Sequence, residues 1–275
     1  MDFRNRALET LKQTSRTFYI PIARLPDKLQ DAVASAYLCM RAIDEIEDTP
    51  DLDNQTKAHL LRSISLRLQE ITDIEAYERI STDLIPYQDV LPDVSLSIGE
   101  WASLAPESIA PRIWDATAAM ADRMAYWAEQ NWSITTEADL DRYTFSVAGA
   151  VGLLLSDLWA WYDGTETNRQ YAIAFGRGLQ AVNIVRNQGE DSLRGVSFIP
   201  DDWTDRDVQD YARRQLKQAN LYIEALPKNS PALDFCQIPY ILAKGTLDAI
   251  AIGKPKLSRH DVLNLVEKFT NIKSA

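Results

Sequence analysis

Apolar residues recur at intervals of three or four along most of the chain, with polar residues between them. Residues 54–72 show the spacing clearly, through Leu60, Leu61, Ile64 and Leu68. This interval places apolar side chains on one face of an α-helix, whereas a half-buried strand alternates apolar and polar residues. Regular alternation is rare in this sequence, and the chain has only 10 glycines. The pattern therefore predicts an all-α protein.

Helix boundaries follow from the same spacing and from the prolines. The interval from residue 15 to residue 26 contains Pro21 and Pro26 and is predicted to be a connector. Pro239 is expected to bend the helix that contains it or to delay its start. No repeat and no linker composition interrupts the chain, so we expect one domain over residues 1–275. The predicted helices cover about 2–14, 27–48, 54–72, 75–91, 94–104, 111–131, 139–161, 166–188, 204–226, 232–251 and 258–271.

The predicted helix over 139–161 is apolar on most sides, which indicates a buried position in the centre of an all-helical domain. Its small residues, 148–150 and Gly152, lower helix propensity. We expect another backbone or a long ligand to pass close to them. The longest apolar run, 147–155, is too short to span a bilayer.

Charge and composition exclude several classes of function. The net charge is −11 and there is no basic run, so nucleic-acid binding is not expected. Cys39 and Cys236 lie in apolar contexts typical of buried free thiols. His59 and His260 stand alone, which leaves too few histidines for a His-based metal site or a Ser-His-Asp triad. The charged N-terminus does not resemble a signal peptide, so we expect a cytoplasmic protein with at most peripheral membrane contact.

The stretch 37–48 contains the most informative polar pattern. Asp44 and Asp48 are four residues apart, and Arg41 lies about one turn before Asp44. On a helix these side chains share one face. Two neighbouring carboxylates repel each other, and they suit a hard cation such as Mg²⁺, whose other positions are filled by water and phosphate. The alternative is a solvated acidic helix end, which is common.

Two further stretches carry polar groups in apolar surroundings. Gln180, Asn183 and Asn187 share a helical face, which Asp191 extends if the helix continues past Gly189. Buried polar groups must be satisfied, either by one another or by a bound polar ligand. Near the N-terminus, an arginine with Ser and Thr hydroxyls lies beside two aromatic residues in the segment 15–19. This group is suited to hold a phosphate at the mouth of an apolar pocket, and an ordinary surface arginine is the alternative.

In this order and at this spacing, the motifs of the chain resemble those of the squalene/phytoene synthase family. The resemblance covers residues 15–202 firmly and extends loosely to about 261. Several motifs in the correct order are more specific than any one of them. The matching stretches are Ser15-Arg16-Thr17-Phe18-Tyr19, Tyr37-x3-Arg41-Ala-Ile-Asp44-x3-Asp48, Tyr143-x3-Val147-Ala-Gly149-x2-Gly152, Gly178-Leu-Gln180-x2-Asn183-Ile-Val-Arg186-x4-Asp191, Arg194-Gly195 and Ile199-Pro200.

The resemblance implies a single-domain isoprenoid-synthase-type helical bundle around a central apolar cavity. It implies a Mg²⁺-dependent prenyltransferase that condenses two prenyl diphosphates head to head through a cyclopropylcarbinyl diphosphate. The implied roles are catalytic for Asp44, Asp48, Tyr143 and Arg41; substrate-binding for Ser15, Arg16, Phe18, Tyr37, Arg41, Tyr143, Gln180, Asn183 and Arg186; and metal-binding for Asp44, Asp48, Asn183, Asn187 and Asp191. NADPH delivers hydride in squalene-type members and is not used in phytoene-type members, and the sequence leaves this choice open.

We expect farnesyl diphosphate as the substrate and a C30 product such as squalene or dehydrosqualene. This preference rests on Met120-x3-Met124 and on residues 37–48, which look more like squalene-type than plant phytoene-type sequences. One position departs from the family pattern. Family members usually carry Asp-x3-Asp in the second motif, and Asn187 replaces the first aspartate here. The alternatives are a prenyl-diphosphate hydrolase or lyase that releases an alcohol or alkene, a phytoene synthase with a C20 substrate, and a non-catalytic family member.

Overall fold

The computed structural model describes residues 3–193, 195–254, 257, 258, 260–262, 264 and 265, except for the side chains of Arg16 and Ile74. Throughout this described part the regular secondary structure is helical and no strand is present. The all-α prediction is confirmed. In chain order, the described helices are α1 (Phe3–Thr14), α2 (Arg16–Ile22), α3 (Asp27–Asp48), α4 (Asn54–Gln69), α5 (Ile74–Thr82), α6 (Asp93–Leu96), α7 (Ile98–Ser103), α8 (Ala110–Glu129), α9 (Glu137–Thr144), α10 (Ala150–Asp163), α11 (Arg169–Leu193), α12 (Asp205–Ala225) and α13 (Pro231–Ala251).

Two irregular segments join these helices. A 3₁₀ turn covers Ile85–Tyr87 between α5 and α6, and a π-helical segment, Phe145–Gly149, connects α9 to α10. A π-helical turn places one extra residue in a helix, and it is frequent at functional sites. Hydrophobic spacing does not predict it. The helix expected over 139–161 therefore consists of three parts that follow one another without a break.

The structure corrects several predicted boundaries. The helix expected over 75–91 ends at Thr82, and the one expected over 94–104 is divided into α6 and α7. The expected connector contains α2, because the Ser15 hydroxyl accepts a hydrogen bond from the Phe18 amide at 3.3 Å and caps the helix start. Pro21 is tolerated near its end. Helix α11 continues through Gly189 to Leu193. Helix α13 begins at Pro231, so Pro239 lies inside it and does not delay its start.

The chain separates into two compact units, and each is described by itself. The first unit contains Met1–Ser133 and Leu154–Gly164; there α4 packs against α8, and α3 packs against α6, α7 and α8. The second unit contains Ile134–Leu153 and Thr165–Ala275; there α11 packs against α12, α13 and the π-helical segment. The single domain expected over residues 1–275, and its central apolar cavity, stay predictions.

Two glycines of the second unit allow helices to touch backbone to backbone. A Cβ added to Gly152 would lie 2.0 Å from the Ala172 carbonyl oxygen, and a Cβ added to Gly176 would lie 2.0 Å from the Ala148 carbonyl oxygen. Neither position tolerates a larger residue without a backbone shift. The small residues singled out in the sequence therefore have their explanation in the close approach of α11.

One continuous stretch of helix among the described residues, Glu137–Asp163, has the length and the apolar composition that crossing a membrane requires. Half of its most apolar window is buried inside the protein, and a core helix passes the same test. Cys39 and Cys236 are both buried and free, as predicted. Burial raises the pKa of each thiol, that of Cys39 to about 12, which keeps both protonated.

Candidate active site

Helix α3 presents the first set of candidate residues along one partly exposed face. Its opposite side is core: Leu38, Ile43 and Ile46 are fully buried. The apolar spacing that buries these residues leaves the polar positions in a strip on the other side. That strip contains Tyr37, Arg41, Asp44 and Asp48.

Two buried hydrogen bonds fix the rotation of α3 about its axis. The hydroxyl of Ser95 on α6 donates to the Ala42 carbonyl at 2.8 Å. The hydroxyl of Ser35 donates to the Trp101 carbonyl on α7 at 2.7 Å. Because both bonds are on the buried side of α3, they hold the polar strip in one orientation.

Arg41 and Asp44 are joined by an ion pair on this strip. Arg41 Nη1 lies 2.5 Å from Asp44 Oδ2, and its Nη2 pairs with Glu45. Partial burial and the like charge of Asp48 raise the pKa of Asp44 above its ordinary value, and the Arg41 guanidinium opposes this rise. A divalent cation beside Asp44 and Asp48 would relieve the repulsion between their carboxylates. The oxygen donors of this pair fit Mg²⁺.

The segment around α2 contributes the residues next to Tyr37. The Phe18 and Tyr37 rings lie 5.5 Å apart between centroids, at an interplanar angle of 42°. The Ser15 side chain lies near Tyr37. Burial raises the pKa of Tyr37, while Ser15 and Arg41 oppose the change. The structure thus brings Ser15 and Phe18 to the strip on α3; the Arg16 side chain is outside the described part.

Sequence reasoning did not select the residues that hold the last turn of α3. The Glu47 side chain is buried, with 6% of its surface exposed, and Trp132 Nε1 donates to its Oε1 at 2.5 Å. Lys57 Nζ donates to the Glu47 main-chain carbonyl at 2.7 Å and lies 5.3 Å from the Trp132 ring centroid. Glu45, the second partner of Arg41, was also missed, although its spacing of four residues from Arg41 was a usable signal.

In the second unit, Tyr143 lies in the last turn of α9, immediately before the π-helical segment. Only 4% of its surface is exposed, and its ring stacks on Phe198 with centroids 4.6 Å apart and an interplanar angle of 17°. Phe198 follows α11, between the helices predicted over 166–188 and 204–226. It was not selected as a site residue, because nothing in its spacing shows which ring it meets.

A partly buried polar network anchors α9 beside Tyr143. Tyr211 Oη donates to Asp141 Oδ1 at 2.8 Å and lies 3.1 Å from Thr144 Oγ1. Arg177 Nη2 donates to the Asp141 carbonyl at 2.9 Å. These bonds come from α12 and α11, so α9 is held by two neighbouring helices at the point where the π-helical segment begins.

Helix α11 carries the second set of candidate residues. Gln180, Asn183 and Asn187 are partly exposed on one face, and Asp191 is 7% exposed. Arg186 Nη2 donates to Asn183 Oδ1 at 2.5 Å, and Arg186 Nε donates to Asn187 Oδ1 at 3.0 Å. In the described part of the chain, no three His, Cys, Asp or Glu side chains converge as a metal-binding group. The metal role of Asn183, Asn187 and Asp191 stays a prediction.

Comparison with known proteins identifies the family. The model of the squalene/phytoene synthase family matches residues 11–211, which is more than half of the chain. The chain belongs to this family. Its members are head-to-head prenyl transferases.

Several squalene synthases are similar to the chain. That of Eremothecium gossypii is 28% identical over 292 residues, which cover 94% of this chain and 64% of the relative. That of Homo sapiens is 28% identical over 296 residues, which cover 95% of this chain and 68% of the relative. The squalene/phytoene synthase chain thus spans about two thirds of the length of these curated relatives.

Solved structures show the same fold. TcSQS in complex with the ligand E5700 superposes with a TM-score of 0.78 at 21% identity, covering 96% of this chain and 85% of that chain. A dehydrosqualene synthase in complex with a ligand gives a TM-score of 0.62 at 16% identity, covering 99% and 97%. The predictions of the family and of an all-α isoprenoid-synthase fold are confirmed.

Proposed function

We propose that this protein is a Mg²⁺-dependent prenyltransferase that condenses two molecules of farnesyl diphosphate head to head into a C30 isoprenoid such as squalene or dehydrosqualene. The observation that carries the proposal is the pair Asp44 and Asp48, one turn apart on the partly exposed face of α3 and next to Arg41. Family membership and the similarity to squalene synthases support the choice of reaction and of substrate.

Asp44 and Asp48 would hold the magnesium through their carboxylate oxygens. When bound, Mg²⁺ stabilises the negative charge that develops on the departing diphosphate. Arg41 fixes the Asp44 carboxylate through its ion pair and keeps the pair oriented before substrate arrives. Because Arg41 also forms an ion pair with Glu45, its guanidinium stays on this strip when Asp44 binds a metal ion.

The reaction needs apolar and aromatic surroundings more than it needs a nucleophilic side chain. The bond between C1 and oxygen of one substrate breaks, and its electron pair leaves with the diphosphate. The double bond of the second substrate then attacks C1, and loss of a proton closes the cyclopropane ring. Tyr143, which stacks on Phe198, would stabilise the cation through its aromatic ring. Phe18 and Tyr37 supply apolar surface for isoprenoid and exclude water, which would convert the cation to an alcohol.

A second candidate function is a prenyl-diphosphate hydrolase or lyase that releases an alcohol or alkene. It is favoured by Asn187, which is neutral where family members usually carry an aspartate. Weaker retention of the diphosphate at the second motif would favour release over condensation. We further propose a cytoplasmic location with at most peripheral membrane contact and no nucleic-acid partner, in line with the net charge of −11.

The test is incubation of the purified full chain with labelled farnesyl diphosphate and Mg²⁺, with and without NADPH, followed by product chromatography. A C30 hydrocarbon or a cyclopropyl diphosphate, lost in Asp44→Ala but kept in the exposed-loop control Asp51→Ala, is the expected result. Squalene formed only with NADPH would assign the cofactor. Farnesol alone would reject condensation in favour of hydrolysis. Turnover of only the C20 substrate would indicate a phytoene synthase. Turnover of neither substrate would indicate a non-catalytic family member.

A further inference from the structure

Two residues from other elements, Trp132 and Lys57, hold Glu47 in the last turn of α3. We propose that Glu47, held in this way, is a positioning residue that fixes Asp48 for metal binding and does not itself ligate the metal ion. The inference rests on the proposed function for the metal role of Asp44 and Asp48. It adds to that function three residues that lie outside the metal site.

Glu47 is the carboxylate that helical spacing alone would add to the acidic pair. It lies three residues after Asp44, so an ideal helix places the two about 60° apart around the axis, within reach of one ion. The structure separates them. Glu47 is buried, with 6% of its surface exposed, whereas Asp48 is exposed. Among the residues that the structure describes, Glu47 does not converge with Asp44 and Asp48 into a group of three metal ligands.

The Glu47 carboxylate is occupied by Trp132 instead. Trp132 Nε1 donates to Glu47 Oε1 at 2.5 Å, and Trp132 is itself 7% exposed. An indole N–H is a donor only, so a Glu47 side chain that turned towards a metal ion would leave it buried without this acceptor. Asn131 and Trp132 both have a left-handed backbone conformation, which persists where surrounding contacts impose it. Asn54 Nδ2 donates to Asn131 Oδ1 at 2.7 Å and supplies one such contact.

The main chain of the same turn is anchored as well. Asp48 is the last residue of α3, where carbonyl groups lack partners inside the helix and helix ends fray. Lys57 Nζ, on α4, donates to the Glu47 carbonyl at 2.7 Å from a buried position. The Thr49 hydroxyl donates to the Glu45 carbonyl at 2.7 Å. The ammonium group also places a positive charge at the negative end of the helix. The backbone of Asp48 is therefore fixed before a metal ion arrives.

The experiment measures the dissociation constant of Mn²⁺ by electron paramagnetic resonance on the purified full chain. Only the binding that is lost in Asp44→Ala/Asp48→Ala is counted, so Mn²⁺ held by Asp191 on α11 does not enter the result. We expect Trp132→Phe to weaken this binding about tenfold, as is typical when a residue that orients metal ligands is removed. Lys57→Met should act in the same direction. Lys57→Arg should recover part of the affinity, because arginine can also donate to the carbonyl.

Two substitutions of Glu47 separate positioning from ligation. Glutamine keeps an oxygen that accepts from Trp132 and loses the charge, so Glu47→Gln should stay within about threefold of the wild-type affinity. Glu47→Leu should weaken Mn²⁺ binding about tenfold, because the contact with Trp132 is lost. If Glu47→Gln weakened binding as much as Glu47→Leu, the Glu47 charge would be a metal ligand and the inference would be overturned.

Asp207→Ala is the matched control for a general loss of stability. Asp207 belongs to the capping box of α12 in the second unit, so its removal should destabilise a helix without changing Mn²⁺ affinity. Circular dichroism establishes that each variant is folded under the conditions of the titration. An equal loss of affinity in Asp207→Ala and Trp132→Phe would show that the effect is not specific to the end of α3.

The readout requires no prenyl substrate and no turnover, so the inference and the proposed function can be told apart. If Asp44→Ala/Asp48→Ala bound Mn²⁺ as the wild type does, the metal role in the proposed function would be wrong, and this inference with it. If the pair bound Mn²⁺ and Trp132→Phe had the wild-type affinity, the inference alone would be overturned.

Discussion

The indole nitrogen of Trp132 donates a hydrogen bond to the carboxylate of Glu47 at 2.5 Å, one residue before Asp48. Trp132 and its neighbour Asn131 have positive φ angles of 49° and 51°. This left-handed conformation costs about 1–2 kcal/mol for a residue with a side chain. The hydrogen bonds from Trp132 to Glu47 and from Asn54 to Asn131 offset that strain. They tie the segment after α8 to the end of the helix that carries the acidic pair.

Trp132→Phe removes the N–H donor and keeps the aromatic ring. We expect the free energy of unfolding to fall by about 1–3 kcal/mol, because the buried Glu47 carboxyl loses its partner. Denaturant titration at neutral pH measures the change. Trp161→Phe is the matched control. Trp161 Nε1 also donates to a side chain, at 3.1 Å to Ser108 Oγ, and the Lys28 ammonium group lies over its ring, but this hydrogen bond is exposed to solvent. Equal losses in the two variants would show that burial of Glu47 contributes nothing.

Asp44→Asn is predicted to lower activity without lowering stability. Burial and the neighbouring Asp48 carboxylate both raise the pKa of Asp44, and the substitution removes this unfavourable charge, so the unfolding midpoint should stay equal or rise. Arg41 keeps Glu45 as a partner, which limits the loss from the broken ion pair. Activity should fall at least about a hundredfold, because the proposed charged metal ligand is lost. A variant that melts earlier and keeps its activity would contradict both the metal role and the repulsion.

Gly176→Ala tests the backbone contact between α11 and the π-helical segment. The added Cβ would lie 2.0 Å from the Ala148 carbonyl oxygen, so the helices must separate. We expect a loss of about 3 kcal/mol or more. Gly189→Ala on the same helix has open space around its Cβ and should stabilise by about 0.5–1 kcal/mol. Thermal unfolding of both variants gives the comparison, and a similar shift in the two would mean that the contact is not tight.

Asp139 links the stability of α9 to pH. Its carboxylate accepts hydrogen bonds from Thr136 and Thr135 in a capping box and pairs with Arg142, which hold its pKa well below the ordinary value of 3.8. The depressed pKa means that this stability is present above about pH 4 and is lost as the pH falls further.

Asp139→Ala should therefore cost about 1 kcal/mol at pH 7, and the difference from wild type should shrink below pH 4. Unfolding by urea across this pH range provides the measurement. Asp207→Ala, in the capping box of α12, is a control of the same type in a helix that carries no candidate residue. A difference that grows on acidification would show that the ionised Asp139 carboxylate does not stabilise the protein.

Helix α3 was predicted to within one residue at its start and correctly at its end, because apolar spacing and the flanking Pro26 and Pro50 are local features of the sequence. The position of α2 was missed, since the Ser15 cap outweighs the presence of Pro21 near the helix end. The contacts of Glu47 were not predictable from spacing, because Lys57 and Trp132 lie 10 and 85 residues away in sequence. For the candidate site, periodicity selected the strip on α3 and residue types selected the segment 15–19, whereas Tyr143 came from the family resemblance.

Because Phe145–Gly149 is π-helical, the number of residues in this segment determines the direction in which the side chains of α9 point. An α-helix turns by about 100° per residue, so one residue fewer between Phe145 and Gly149 would convert the segment to ordinary helix and rotate everything before it by that angle. Tyr143 would then point away from Phe198, and the spacing of the motif that begins at Tyr143 would be shortened by one residue. Deletion of one residue here would thus alter the reaction environment more than many point substitutions, and an alignment gap at this position would distinguish relatives with a different aromatic arrangement.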